Sequence, residues 1–301
     1  AEGAETLEDA EAFIAKVRAA SSLVEPMIGP SAPHRCSTGM LQRALALAEA
    51  TGPAIHMHVA ETKGQYLQCM KLFGLSPVGR LADVGFLTDR LSIAHCVWLT
   101  DRDLELVAGA GTTVVHNPAS NGKLGSGRMR LPEMLSAGVR VALATDGQGS
   151  NDTQNMFEAL RFAGTIHNGP ERDYRDWPSP EALLTAATAD AAYALGMGGR
   201  VGRLAPGHAA DLVLLTTDSY HFAPLNDVVN QLIWCENGAS VRDVMVAGRW
   251  VVQGGRLLTV DEGDLYARAR ALRVAMDDAL AMQYSATAAI EPGLREQWLS
   301  A

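Results

Sequence analysis

From residue 1 to about 200, stretches whose apolar residues recur at helical spacing alternate with short, nearly continuous apolar runs. The runs are LVEPMIG (23–29), AIHMHVA (54–60), LSIAHC (91–96), TTVVHN (112–117) and VRVALATD (139–146). Helix-period segments cover 5–20, 38–51, 63–73, 101–110, 131–137 and 152–167. Buried strands alternating with amphipathic helices predict βαβ units and a parallel sheet covered on both faces.

The runs end in Pro30-Ser31, His58, His95, His116-Asn117 and Asp146. Polar, reactive side chains at the carboxyl ends of successive parallel strands suit a (β/α) barrel, which assembles its site at that end. Only five such runs are present, against the eight of a closed barrel. The expected architecture is therefore α/β: a (β/α)8 TIM-type barrel lacking its first strands, over 1–200. After residue 200 the texture changes. GRLAPGHAADLVLL (202–215) and VRDVMVAGRWVVQGGRLL (241–258) read as short strands with glycine turns, the second a hairpin across Gly248. They predict a small β-sandwich portion over 201–259. A helical tail, regular over 261–283, occupies 260–301.

IHMHVAET (55–62) carries the first candidate chemistry. Residues two apart on a strand face one way, so His56 and His58 point to the same side, His58 at the mouth and His56 a layer deeper. Neutral imidazole is the commonest side-chain metal ligand, although a satisfied core histidine reads equally well from HxH alone. Glu61, just past the strand, is placed to pass protons beside a His58-bound metal; the alternative is a solvated glutamate at a helix start. His95 ends the next run. Asp146 ends the last, where a carboxylate following small apolar residues needs a cation or several donors to stay charged, unless Asp-Gly merely makes a turn. Two histidines and an aspartate on different strand ends with a glutamate alongside form a catalytic metal pattern. In VVHNPASNGKL, Asn117, Ser120 and Asn121 either orient a polar ligand or cap the next segment. The methionines Met27, Met57, Met70, Met129 and Met134 read as core filling. His167 falls in a loop, His208 in a glycine turn, and His221 outside any strand pattern.

Composition narrows the class. The 301 residues are 48% hydrophobic and 20% charged, with a net charge of −9 and no basic run, which argues against a nucleic-acid partner. No apolar stretch is long enough to span a bilayer, and the acidic start is unlike a signal peptide. Four scattered cysteines, Cys36, Cys69, Cys96 and Cys235, without CxxC read as buried free thiols. A cytoplasmic protein with no membrane partner is expected, and self-association into a homo-oligomer.

Four stretches together resemble the amidohydrolase superfamily, in its aminohydrolase branch: HMHVAET, SIAHCVWLTDRDLELVAGAGTTVVHNPASNGKL, GVRVALATDGQGSNDTQNMFEALR and GRLAPGHAADLVLL. That branch includes S-adenosylhomocysteine/methylthioadenosine, guanine/8-oxoguanine and cytosine deaminases and the triazine hydrolases. The resemblance implies that His58 and Asp146 bind a divalent metal, Zn2+ or Fe2+. It implies that Asp146 also takes a proton from the attacking water, that His95 hydrogen-bonds that water and the tetrahedral centre, and that Glu61 protonates a ring nitrogen. The implied reaction is hydrolytic deamination of a purine, pterin, pyrimidine or triazine-like small molecule, with release of ammonia.

Two departures shape the expectation. The family's first strand supplies an HxH of its own, and no candidate strand precedes residue 20. The chain thus reads as a fragment, a truncated product or half of a split protein, short of the usual three protein ligands. The family's Pro-His-Ser-Pro-like segment is here GPSAPHRCS, with Ser31 at the histidine position and His34 three further on. Ser31, His34, Asn117, Ser120 and Ser150 are the substrate-binding candidates. The competing readings are hydrolysis of a C–Cl or ring-amide bond on the same scaffold, and a catalytically incomplete remnant.

Overall fold

The computed structural model describes residues 7–300. Five strands, β1 (Met27–Ile28), β2 (Ala54–Val59), β3 (Leu91–His95), β4 (Thr113–His116) and β5 (Val141–Leu143), form one parallel sheet in which each strand pairs with its successor. Helices fill every crossover, as parallel pairing of consecutive strands requires. This is the α/β architecture that the alternating pattern predicts.

The helices begin where the sequence offers caps. Ser37, Thr62, Ser76 and Thr100 each accept a hydrogen bond from a backbone N–H in the following first turn. Two of these starts are tied together. Asp103 is buried, and its carboxylate accepts the Thr100 N–H at 2.9 Å, the Thr100 hydroxyl at 2.8 Å and the Ser76 hydroxyl. One carboxylate thereby fastens the N-termini of Pro77–Asp83 and Asp101–Ala110 through neutral donors.

On β2 the alternation separates two environments. Ile55, Met57 and Val59 are fully buried, whereas His56 is half-buried and His58 exposed. The first set joins the main core with Leu41, Leu81, Phe86, Ile93, Val114, Met134 and Leu183. A smaller cluster, Ala94, Val115, Ala142 and Ala194, lies apart from it.

Several elements differ from the sequence expectation. β1 keeps only two residues of the 23–29 run, because Pro26 has no N–H for a ladder and Glu25 is drawn to Arg18. The segment 152–167 begins with a left-handed Asp152 and becomes helical only at Met156–His167. His167 is therefore the last residue of a helix and buried, not in a loop. Helices Pro77–Asp83, Pro180–Ala187, Ala189–Ala194 and Val228–Trp234 are too short to show two clear periods. Met70 is 39% exposed, while Met57, Met129 and Met134 do fill the core. Cys36, Cys69 and Cys96 are buried as expected, but Cys235, following the short helix Val228–Trp234, is exposed.

By internal contacts the chain divides into two units, one running to Asp211 and including Leu215–Ser240, the other comprising Leu212–Leu214 and everything from Val241. The second sheet runs β6 (Leu212–Leu215), β7 (Val241–Val246), β8 (Arg249–Gln253), β9 (Arg256–Leu257), with β7/β8 and β8/β9 antiparallel. The β7–β8 turn is Ala247-Gly248, both at positive φ, as a two-residue hairpin turn of right-handed twist demands. Helix Glu262–Ser300 follows, longer than the regular part of the predicted tail and containing Pro292.

Ile93 on β3 is wholly buried in the main core. Ile93→Ala should lower the unfolding free energy by about 2–5 kcal/mol in a urea titration, the range for a large aliphatic side chain removed from a packed interior.

Candidate active site

The strand ends converge on a cavity of about 280 Å³ lined by His56, His58, His95, Asn117 and Asp146 among apolar residues that include Ala94, Val115, Ala142 and Ala194. Small side chains on three adjacent strands leave this space; larger ones would fill it.

Backbone strain marks the same places. Ala60 after β2, His95 and Cys96 at the end of β3, and Asp146 after β5 all have positive φ, between 47° and 74°. Non-glycine residues in this region cost on the order of 1–3 kcal/mol each and collect at functional sites. The turns are held by backbone bonds: Cys96 N–H to Val59 O at 3.0 Å and Val97 N–H to Ala60 O at 3.1 Å.

His95 is 1% exposed and sits between two carboxylates. Its Nδ1 is 2.9 Å from Asn121 Oδ1, an acceptor, so Nδ1 carries the proton. Nε2 then lies 4.0 Å from Glu61 Oε2 and 4.0 Å from Asp146 Oδ2. Asp146 Oδ2 accepts the Ser120 hydroxyl at 2.6 Å and Oδ1 the Gly147 N–H at 2.7 Å. Burial raises the carboxyl pKa, but the Ser120 and Gly147 hydrogen bonds, with His95 and Ser150, outweigh it and hold Asp146 below the ordinary range. Glu61 immediately precedes the capped helix Lys63–Phe73. Gln65 fixes it twice, accepting the Glu61 N–H at 2.9 Å and donating from Nε2 to Oε2 at 3.3 Å.

His58 stacks on His95 with ring centroids 5.5 Å apart. Its backbone N–H reaches Ser31 O at 3.4 Å. Ser31 itself is exposed and His34 is buried in a turn; neither is among the residues lining the cavity. Asn117 lines it with a buried Oδ1 that has no partner among the described residues. Ser120 lies behind Asp146, fully buried, and Ser150 donates to Gly147 O at 3.0 Å. His56 Nδ1 contacts Ser92 Oγ at 2.8 Å, and burial followed by the neighbouring His58 lowers its pKa. Three supporting residues escaped the sequence reading: Gln65, Ser92 and Asp103. Gln65 and Asp103 each carried one signal, the N3 place of a capping arrangement after Thr62 and Thr100, and Ser92 carried none.

The donors available are the His58 and His95 imidazoles on adjacent β2 and β3 and the Asp146 carboxylate after β5, side-chain types that suit zinc. Among the described residues no group of three or more histidine, cysteine, aspartate or glutamate side chains is placed to hold a metal ion. His58 and Asp146 thus fit two positions of a metal site in type and place, and do not make up the usual three-ligand set by themselves.

A model of the amidohydrolase family matches residues 2–251. The chain belongs to the amidohydrolase family. It is 34% identical over 271 residues to the 5-methylthioadenosine/S-adenosylhomocysteine deaminase of Syntrophomonas wolfei, covering 89% of this chain and 63% of that protein. It is 35% identical over 261 residues to the 5'-deoxyadenosine deaminase of Methanopyrus kandleri, covering 87% and 60%. An adenosine deaminase from Xanthomonas campestris with bound zinc superposes with a TM-score of 0.84 at 30% identity, covering 89% of this amidohydrolase and 62% of that one. An atrazine chlorohydrolase from Arthrobacter aurescens complexed with zinc gives 0.80 at 25% identity, covering 89% and 60%. The chain therefore spans about three fifths of the length of these relatives.

Outside the cavity, His116 and His167 are buried with their Nε2 atoms 3.1 Å apart. Burial depresses both imidazoles, His167 to about 4. An unfolded histidine takes up its proton near pH 6.5, whereas His167 in the fold stays neutral until about pH 4. The stability is present above pH 6.5 and is lost as pH falls toward 4, by on the order of 3 kcal/mol for a shift of this size. Urea midpoints between pH 7 and 4 should fall in the parent and fall less steeply in His167→Gln.

Proposed function

We propose that this amidohydrolase carries the proton-transfer side of a hydrolytic deaminase acting on an amino-substituted aromatic N-heterocycle. The observation that supports it best is the placement of His95 Nε2 midway between Glu61 and Asp146, 4.0 Å from each. In this reading Asp146, His58 and the cavity face the reacting carbon, and Glu61 is a carboxyl group left free for acid chemistry. His58 and Asp146 would hold a divalent ion, zinc by analogy with the Xanthomonas structure. When bound, such an ion lowers the pKa of its water to about 7.

The remaining steps belong to the protein. Asp146 Oδ2, already tethered by Ser120, takes a proton from the attacking water. His95 Nε2 hydrogen-bonds the incoming oxygen. Glu61, steadied by Gln65, protonates the ring nitrogen beside the attacked carbon, which neutralises the charge that the attack builds there. The amino group leaves as ammonia and a carbonyl replaces it. The names of the relatives make adenosines altered at the 5′ position the first substrates to try. The triazine-hydrolase likeness keeps C–Cl hydrolysis as a second reading, which chloride release in place of ammonia would reveal. No helix among the described residues is long and apolar enough to cross a membrane.

Two outcomes are expected. Metal content per chain, measured after purification with zinc, should be present in the parent and lost in His58→Ala and Asp146→Ala; a parent without metal would count against the reading for this chain alone. Glu61→Gln should retain metal but lower the deamination rate by about 10²–10⁴, the usual worth of a positioned general acid.

A further inference from the structure

His56 is left unused by the scheme above, although it borders the same cavity. Its protonation state follows from its neighbour. In the β2–β3 register His56 is paired with Ser92, which is 1% exposed. Ser92 Oγ lies 3.2 Å from Ile55 O, an acceptor only, so the hydroxyl spends its single proton there. The contact between the same oxygen and His56 Nδ1, at 2.8 Å, is then made with the proton on nitrogen. A neutral ring protonated at Nδ1 carries a lone pair at Nε2. No hydrogen bond joins Nε2 to another described residue, and the ring lines the cavity.

We infer that His56 is a specificity-determining residue: Ser92 locks it as the Nδ1–H tautomer so that Nε2 accepts a hydrogen bond from an N–H or O–H of the bound heterocycle. The inference rests on the deaminase reading and extends it to recognition. Most of the cavity wall is aliphatic, alanine above all, and receives a flat ring without directing it. Direction comes from few polar atoms. His58, His95 and Asp146 are engaged at the reacting carbon and Asn117 Oδ1 is enclosed, which leaves His56 Nε2 as the acceptor on this wall. A ligand that satisfies this wall presents a donor to it. An amino group on the base and hydroxyls on an attached sugar both meet that requirement. A site whose buried acceptor goes unpaired discriminates strongly against the analogue that lacks the donor.

The test combines a spectroscopic readout with binding, on the intact chain at pH 8. Long-range ¹H–¹⁵N spectra of histidine-labelled protein should show His56 with Nδ1 protonated and Nε2 bare. Ser92→Ala, with its fold checked by circular dichroism, should give a mixture of tautomers. Addition of 5′-deoxyadenosine should shift the Nε2 resonance upfield. In calorimetry, His56→Asn, whose amide still reaches Ser92 but puts no atom at Nε2, should bind that nucleoside about ten- to a hundredfold more weakly. His56→Gln, whose amide oxygen can take the Nε2 place, should recover most of the loss. Adenine alone and 5′-deoxy purine riboside, which lacks the amine, identify the donor: whichever probe is insensitive to His56→Asn has lost it. Protonated Nε2 in the parent, or parent-like affinity in His56→Asn, overturns the inference while leaving the deaminase reading intact. The expected tautomer without binding of any probe overturns the deaminase reading and the recognition role together.

Discussion

The register between β2 and β3 is the constraint on which the site depends. It sets His56 beside Ser92, His58 beside Ala94 and Val59 beside His95. Because side chains alternate along a strand, a slip by one residue would send His56 and His58 into the packed interior and bring Ile55 and Met57 to the cavity. The penalty for burying two imidazoles and exposing two large apolar groups makes that slip prohibitive. The hydrophobic side of β2 therefore specifies where its reactive side stands.

Chain direction at the strand ends is controlled differently. His95 and Asp146 adopt left-handed conformations that turn their side chains toward one another and toward Glu61. The turns are costly, and the buried sheet around them, with Ile93, Val114 and Val141 wholly enclosed, supplies the rigidity that maintains them. Four of the polar groups then have a keeper: Asn121 for His95, Ser120 for Asp146 and Ser92 for His56 from other segments, and Gln65 for Glu61 from the helix that follows it. The arrangement is fixed by packing and by hydrogen bonds that exist before any ligand arrives.

Much of this was legible in the residues. Continuous apolar runs ending in His58, His95 and Asp146 announced parallel strands with polar side chains gathered at their carboxyl ends, and four motifs announced the family. What stayed hidden has physical causes. The run 139–146 reads as one strand, yet only Val141–Leu143 is strand, with one more bond from the Ala144 N–H to His116 O before Asp146 turns at positive φ. Ser92 reads as one more small strand residue, since its role exists only in the register with a neighbouring strand. Asp103 reads as a charge on a solvated helix start, and nothing local says that Ser76 will approach it. Ser31 and His34 were drawn toward the pocket by likeness to a motif, and the chain sets them beside it.

The buried carboxylate of Asp103 has an evolutionary corollary. Because among the described residues its donors are Ser76 and Thr100, two segments that sequence separates by more than twenty positions share one polar budget. Loss of either hydroxyl strands part of a negative charge in a dry place, while loss of the carboxylate leaves the hydroxyls searching for partners. Substitutions at these three positions are therefore tolerated in concert and penalised singly. They should drift through the family as a set, a correlated signature of how the third strand is framed between its helices.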